Sequence, residues 1–194
     1  MSNPKENSIR EIRSLLAFLF PVIGKSERQA IRYVLGQTEV LSLAAGDYIP
    51  VDGFKGKGGT IVIVLEGFVS GFLLEQSNKR RDIWLGQARS TFIIDRSIQN
   101  SNSFNLEAIE NSLVIFLLQE ELENACLFDP VLDRLFAQII FPDAIKSLEW
   151  HTILNKIDHP SQKLSYFRKA YPTAWYRVPE RIYRSFVGLT DEEY

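Results

Sequence analysis

Between residues 40 and 118 the chain breaks into eight short runs rich in β-branched and aromatic residues, and no helical period separates them. The runs are Val40–Leu43, Tyr48–Val51, Ile61–Leu65, Phe68–Leu74, Arg81–Leu85, Phe92–Ile94, Phe104–Ile109 and Leu113–Leu118. Turn-forming residues punctuate them, among them Gly46-Asp47, Asp52-Gly53, Glu66-Gly67, Ser77-Asn78 and Glu110-Asn111. Eight strands at this spacing predict an antiparallel barrel, roll or jelly roll. A doubly wound parallel sheet needs helices between its strands and is excluded. With 194 residues, 45% of them apolar, the chain can bury a core around such a roll.

Both flanks read as helix, so the fold class is α+β. Upstream, Ile9, Ile12, Leu15, Leu16 and Leu19 recur at helical spacing until Pro21 and Gly24 interrupt. Ser26 with Gln29 has the form of a capping box for a second helix, whose apolar face is Ala30, Ile31, Val34 and Leu35. Downstream, Gln119–Leu127 predicts a short helix. Asp129-Pro130 then supplies an N-cap and a first-turn proline. Val131, Leu132, Leu135, Phe136, Ile139 and Ile140 follow on a helical period, and Pro142 should kink or break the element before Ile145, Leu148, Ile153, Leu154 and Ile157 carry it on. Pro160 starts a further helix that stops before Pro172, and Pro179 starts the last, ending at Gly188. The expected division is a roll with flanking helices over 1–128, a long central helix over 129–157, and a C-terminal part over 158–194.

Composition excludes several chemistries. A single cysteine, Cys126, allows neither an intramolecular disulfide nor a thiolate zinc or iron–sulfur site, and reads as a small buried side chain. The two histidines, His151 and His159, fit packing and helix-boundary roles, so no metal and no cofactor are expected. Haem would need an axial ligand in or near the roll, and no residue before His151 is a histidine. No G-x-S-x-G elbow or other convergent catalytic set is present, so the chain is not read as an enzyme. The glycine-rich stretch Gly53–Thr60 lacks the lysine of a phosphate loop and leads into a strand, which makes it a loop between strands. The longest apolar run, Leu15–Ile23, is too short to span a membrane, for which about 20 residues are needed. A cytoplasmic location is expected.

The last residues announce a second helix. Val178–Thr190 reads as helix, tight turn and helix start, with Thr190 and Glu193 forming a T-x-x-E box. Only Asp191-Glu192-Glu193-Tyr194 follow, so a base-reading helix is expected to be missing from a truncated helix-turn-helix. Residues 161–194 hold six basic and four acidic side chains, a mild positive excess on a chain of net charge −2.

The order of these parts resembles the Crp/Fnr regulators. The carrying residues are Leu43-x-x-Gly46-Asp47, Glu66-Gly67, Arg177-Val178-Pro179 and Ser185-Phe186-Val187-Gly188-Leu189-Thr190. The resemblance implies a cyclic-nucleotide-binding type of β-roll, a central helix through which two copies dimerise, and a helix-turn-helix part. It also implies where an effector would sit. Cyclic-nucleotide binders of that superfamily carry G-E-[LI] and R-[ST]-A. Here Asn102-Ser103-Phe104 stands in the R-[ST]-A register and the upstream glutamate motif is absent. Without the arginine a cyclic phosphate loses a charge-assisted bond of about 1.5–3 kcal/mol. The ligand-facing candidates by register are Arg89, Arg96, Asn102 and Ser103, for an unknown small-molecule effector other than cAMP or cGMP. Arg177, Arg181, Arg184 and Thr190 are the candidates for DNA-backbone contact, weak and non-specific. Arg184 replaces the family's small residue and should splay the helix pair or point outward. The dimer is expected over 129–157, with Leu132, Leu135, Ile139, Leu148 and Ile153 too widely spread around the helix to be covered by one roll. The alternative is a ligand-binding or protein-interaction module of the same fold that has lost sequence-specific DNA binding.

Overall fold

A computed structural model of the chain describes residues 9–21, 23–24, 27–51, 59–74, 79–94 and 103–189. Two helices, α1 (Ile9–Leu19) and α2 (Arg28–Gln37), precede eight strands. These are β1 (Glu39–Leu43), β2 (Tyr48–Pro50), β3 (Thr60–Glu66), β4 (Phe68–Leu74), β5 (Arg80–Gln87), β6 (Thr91–Ile94), β7 (Ser103–Ala108) and β8 (Ser112–Leu118). They form two antiparallel four-stranded sheets, β1-β8-β3-β6 and β2-β7-β4-β5, which close on each other as the roll.

Period-two alternation explains the layering. On β3 and β8, Val62, Val64, Val114 and Phe116 point into the roll, where they meet Val69, Trp84, Phe104 and Leu106 of the other sheet. Their neighbours Ile61, Ile63, Leu65, Leu113, Ile115 and Leu117 point outward and pack under α1 and α2. Both faces of this sheet are therefore buried, and its two central strands read as nearly unbroken apolar runs. The outer face of the second sheet offers Phe68 and Leu85 to the C-terminal helices.

After β8 come α3 (Gln119–Cys126) and a long helix in three pieces: α4 (Pro130–Leu135), a π-helical turn (Phe136–Ile140) and α5 (Phe141–Asn155). Asp129 caps it as expected, its Oδ1 accepting from the Val131 N–H at 2.9 Å. Pro142 does not break the helix. Proline lacks an N–H and collides with the carbonyl four residues back, and the wider turn just before it, in which the Phe141 N–H reaches the Phe136 oxygen, makes room for the ring. The extra residue in that turn also changes which side chains face inward. Leu132, Leu135 and Ile140 are buried in the core under the first sheet, with Ile139 packed against it. Beyond the turn only Leu154 is buried, while Phe141, Ile145, Leu148 and Ile153 are exposed. Leu132, Leu135 and Ile139 are thus part of the subunit's own core, which corrects the expectation that they are left over for a partner.

The C-terminal helices are α6 (Pro160–Ala170), α7 (Pro172–Arg177) and α8 (Glu180–Val187). The sequence pattern does not separate α7, because Pro172 ends one helix and starts the next. Gly188 adopts φ 71°, and the Leu189 N–H returns to the Arg184 oxygen while the Gly188 N–H returns to Ser185, the double closure that lets glycine end a helix. At the other end, Glu27 is the N-cap of α2 and makes no side-chain cap bond; Ser26 lies outside the described residues. Among the described residues no helix is long and apolar enough to cross a membrane, and no group of three His, Cys, Asp or Glu is placed to hold a metal.

Candidate functional site

Inside the roll, Trp84 of β5, Phe92 of β6 and Phe104 of β7 form one stack, with ring centroids 5.1 and 5.5 Å apart. Two glycines make room for it. A Cβ on Gly71 would stand 2.6 Å from the Phe104 ring, and one on Gly86 would stand 2.5 Å from the Trp84 ring. The Trp84 indole N–H is buried with no hydrogen-bond acceptor among the described residues. A donor in that state costs about 1–3 kcal/mol.

The candidate ligand residues are not brought together. Arg89 sits at φ 75° in the exposed turn between β5 and β6, where its N–H donates to the Val64 oxygen at 2.7 Å. Ser103 opens β7 opposite Leu74. Arg96 and Asn102 lie outside the described residues, as does Thr190.

The arginines assigned to DNA are placed clearly, and each meets a carboxylate. Arg177 makes a two-pronged pair with Glu110 in the turn before β8, at 2.7 and 2.5 Å. Arg181 pairs with Glu107 of β7, and Glu107 also holds Arg80 of β5. Arg80 grips Asp82 from Nε and a terminal nitrogen, and Asp82 accepts from the Ser70 hydroxyl at 2.5 Å. The Ser185 hydroxyl closes the set, accepting from the Asp82 N–H at 2.9 Å and donating to the Arg80 carbonyl. Arg184 is not splayed outward. Its side chain is largely covered and lies 3.7 Å from Glu180, one turn back. The second helix that it was expected to splay lies outside the described residues.

Burial alone would raise the Glu107 carboxyl; the hydrogen bonds from Arg181 and Arg80 outweigh it and hold the group below the usual carboxylate range. Hydrogen bonding by Arg177 does the same for Glu110. His151 of α5 packs against the Phe186 ring at 4.9 Å, and burial, together with the nearby Arg81, pushes its pKa down. Burial, with Asp133 and Glu123 close by, raises the Cys126 thiol to about 11, so it carries little thiolate.

Arg80, Asp82 and Glu107 were not singled out from the sequence, and Glu110 and Ser185 stood there only as a turn residue and as part of the Crp/Fnr-like run. One signal was there. Arg80 and Asp82 stand two apart, and so on one face, at the start of a strand that continues as the apolar run Ile83–Gly86, which places two charges where a buried face should be.

No family model matches the chain, and no curated protein matches it. Solved structures do. FixK2 from Bradyrhizobium japonicum superposes with a TM-score of 0.55 at 16% identity, covering 79% of this chain and 78% of that one. A CooA variant from Carboxydothermus hydrogenoformans gives 0.50 at 16% identity, covering 77% of this chain and 92% of that one. Two closed four-stranded sheets, a long helix running from under one sheet to the other, and a helical C-terminus packed on the roll make this a Crp/Fnr-like fold.

Proposed function

We propose that the chain is a Crp/Fnr-like transcription regulator of the cytoplasm. In this reading the roll senses a small molecule other than cAMP or cGMP and the C-terminal helices carry the response. CooA, which shares the fold, is a CO-dependent transcription factor. The observation that carries the reading is the charged bridge from the roll to α8 through Arg80, Glu107 and Arg181. A change on β5 or β7 moves the anchor of the helix that bears the basic side chains. That is a two-ended element of the kind a sensor needs. The same bridge supports weak, non-specific DNA binding, since Arg177 and Arg181 reach phosphate only by leaving Glu110 and Glu107.

The aromatic filling of the roll supports an effector unlike a cyclic nucleotide. Calorimetric titration with cAMP and cGMP should show no binding tighter than about 100 μM; a micromolar dissociation constant would overturn this part. The unpartnered indole N–H of Trp84 favours an effector with an oxygen acceptor.

The bridge has a direct test. Glu107→Gln with Glu110→Gln releases Arg181 and Arg177, each able to meet one phosphate. Non-specific duplex affinity, expected at about 10⁻⁴–10⁻⁶ M for the parent chain, should tighten about tenfold, and the salt slope should steepen by about two. Anisotropy titrations over a series of salt concentrations read both. Unchanged affinity and slope would favour the second reading, an interaction module, for which the pairing of all three arginines speaks.

A further inference from the structure

A cleft of about 440 Å³ opens where three parts of the molecule meet: the outer face of the second sheet, α5, and the joint between α6 and α7. Its floor is apolar, formed by Phe68 and Leu85, both buried. One wall is aromatic, with Trp150 held edge-on against Tyr171 at 5.2 Å. Two ammonium groups line it. Lys146 lies over the Trp150 ring, 4.7 Å from its centroid, and Lys169 comes from the last turn of α6. Among the described residues neither lysine pairs with a carboxylate. The one acid on the wall, Asp143, is committed to β6: its Oδ2 accepts from the Thr91 N–H at 2.6 Å and from the Thr91 hydroxyl at 3.1 Å.

We propose that this cleft binds a small organic anion, a carboxylate on a flat aromatic or short aliphatic body. The volume falls in the range of small-molecule sites, about 300–1,000 Å³. An inorganic anion would leave the part-exposed rings of Trp150 and Tyr171 uncovered. A cation would meet two lysines, and a neutral body would leave both ammonium groups without the pairing a carboxylate gives. Bound there, the ligand touches the roll, the central helix and the C-terminal helices at once, so it holds the three parts in one arrangement. The site lies outside the roll, on the far side of the second sheet from the Trp84 stack. The proposal stands whether or not the chain binds DNA.

The test uses the full chain and four probes: 2-naphthoate and hexanoate, each beside its neutral alcohol, 2-naphthylmethanol and hexanol. Calorimetry and tryptophan fluorescence should show saturable, one-to-one binding of at least one acid with a dissociation constant below about 1 mM. The matching alcohol should bind about tenfold more weakly or worse. Lys146→Ala with Lys169→Ala, both exposed positions that leave the core intact, should weaken the acid about tenfold or more while circular dichroism stays unchanged. Failure of both acids to saturate, equal binding of acid and alcohol, or an acid affinity untouched by the lysine changes would each overturn the proposal.

Discussion

Replacing Phe167 with alanine should cost about 3–5 kcal/mol of stability, the range for deleting a fully buried aromatic side chain. Phe167 is 0% exposed and lies at the centre of the C-terminal core. Its ring stands 5.3 Å from Tyr171, 6.0 Å from Tyr183 and 5.8 Å from Phe186, with Trp175 at 6.3 Å. The cavity left behind cannot collapse easily, because its walls are rings held by α7, by α8 and by the joint before α7, together with Phe68 and Leu85 of the roll. The loss should be local before it is global. Hydrogen exchange should show amides of 160–189 opening while those of β3 and β8 keep their protection, because that sheet is covered by a different core. Urea unfolding read at the same time measures the total. Arg177→Gln is the control: it removes a part-exposed pair and should cost no more than about 1 kcal/mol. Equal costs for the two changes, or uniform loss of protection, would show that the C-terminal helices have no core to lose.

Changing Ile145 and Leu148 to glutamate should turn a dimer into a monomer. On α5 the exposed apolar side chains Phe141, Ile145 and Leu148 are spaced four and three residues apart, with Thr152 four further on, which makes a straight seam along the helix. Leu148 is 61% exposed, and Leu127 and Phe128 add apolar surface before the helix begins, Phe128 at 88%. Two copies packed seam to seam would cover these side chains, and four glutamates facing one another across the pair would be driven apart. Sedimentation should give twice the chain mass for the parent and the chain mass for the variant, with unchanged circular dichroism. A parent that is monomeric at every concentration would refute the dimer. The pair Leu135→Glu and Ile139→Glu is the wrong probe, since it places charge in the subunit's own core and should unfold it.

That contrast shows how far the sequence reaches. The roll and the helical flanks were legible because both periods are local. Val62, Val64 and their outward neighbours Ile61 and Ile63 announce a strand buried on both faces, and Asp129-Pro130 and Gly188 announce helix ends through their own backbone chemistry. Nothing local says which of two apolar stripes on a long helix meets the roll. The π-helical turn before Pro142 adds one residue, and the inward face changes from Leu132 and Leu135 to Leu154. The same holds for charge. Arg177 and Arg181 read as free basic groups because their partners Glu110 and Glu107 stand 67 and 74 residues away, and only folding the C-terminal helices against the roll brings them together. Local sequence determined which elements form, through side-chain period and capping. Tertiary structure alone decided which faces and charges remain available, because that depends on contacts between residues far apart in the chain.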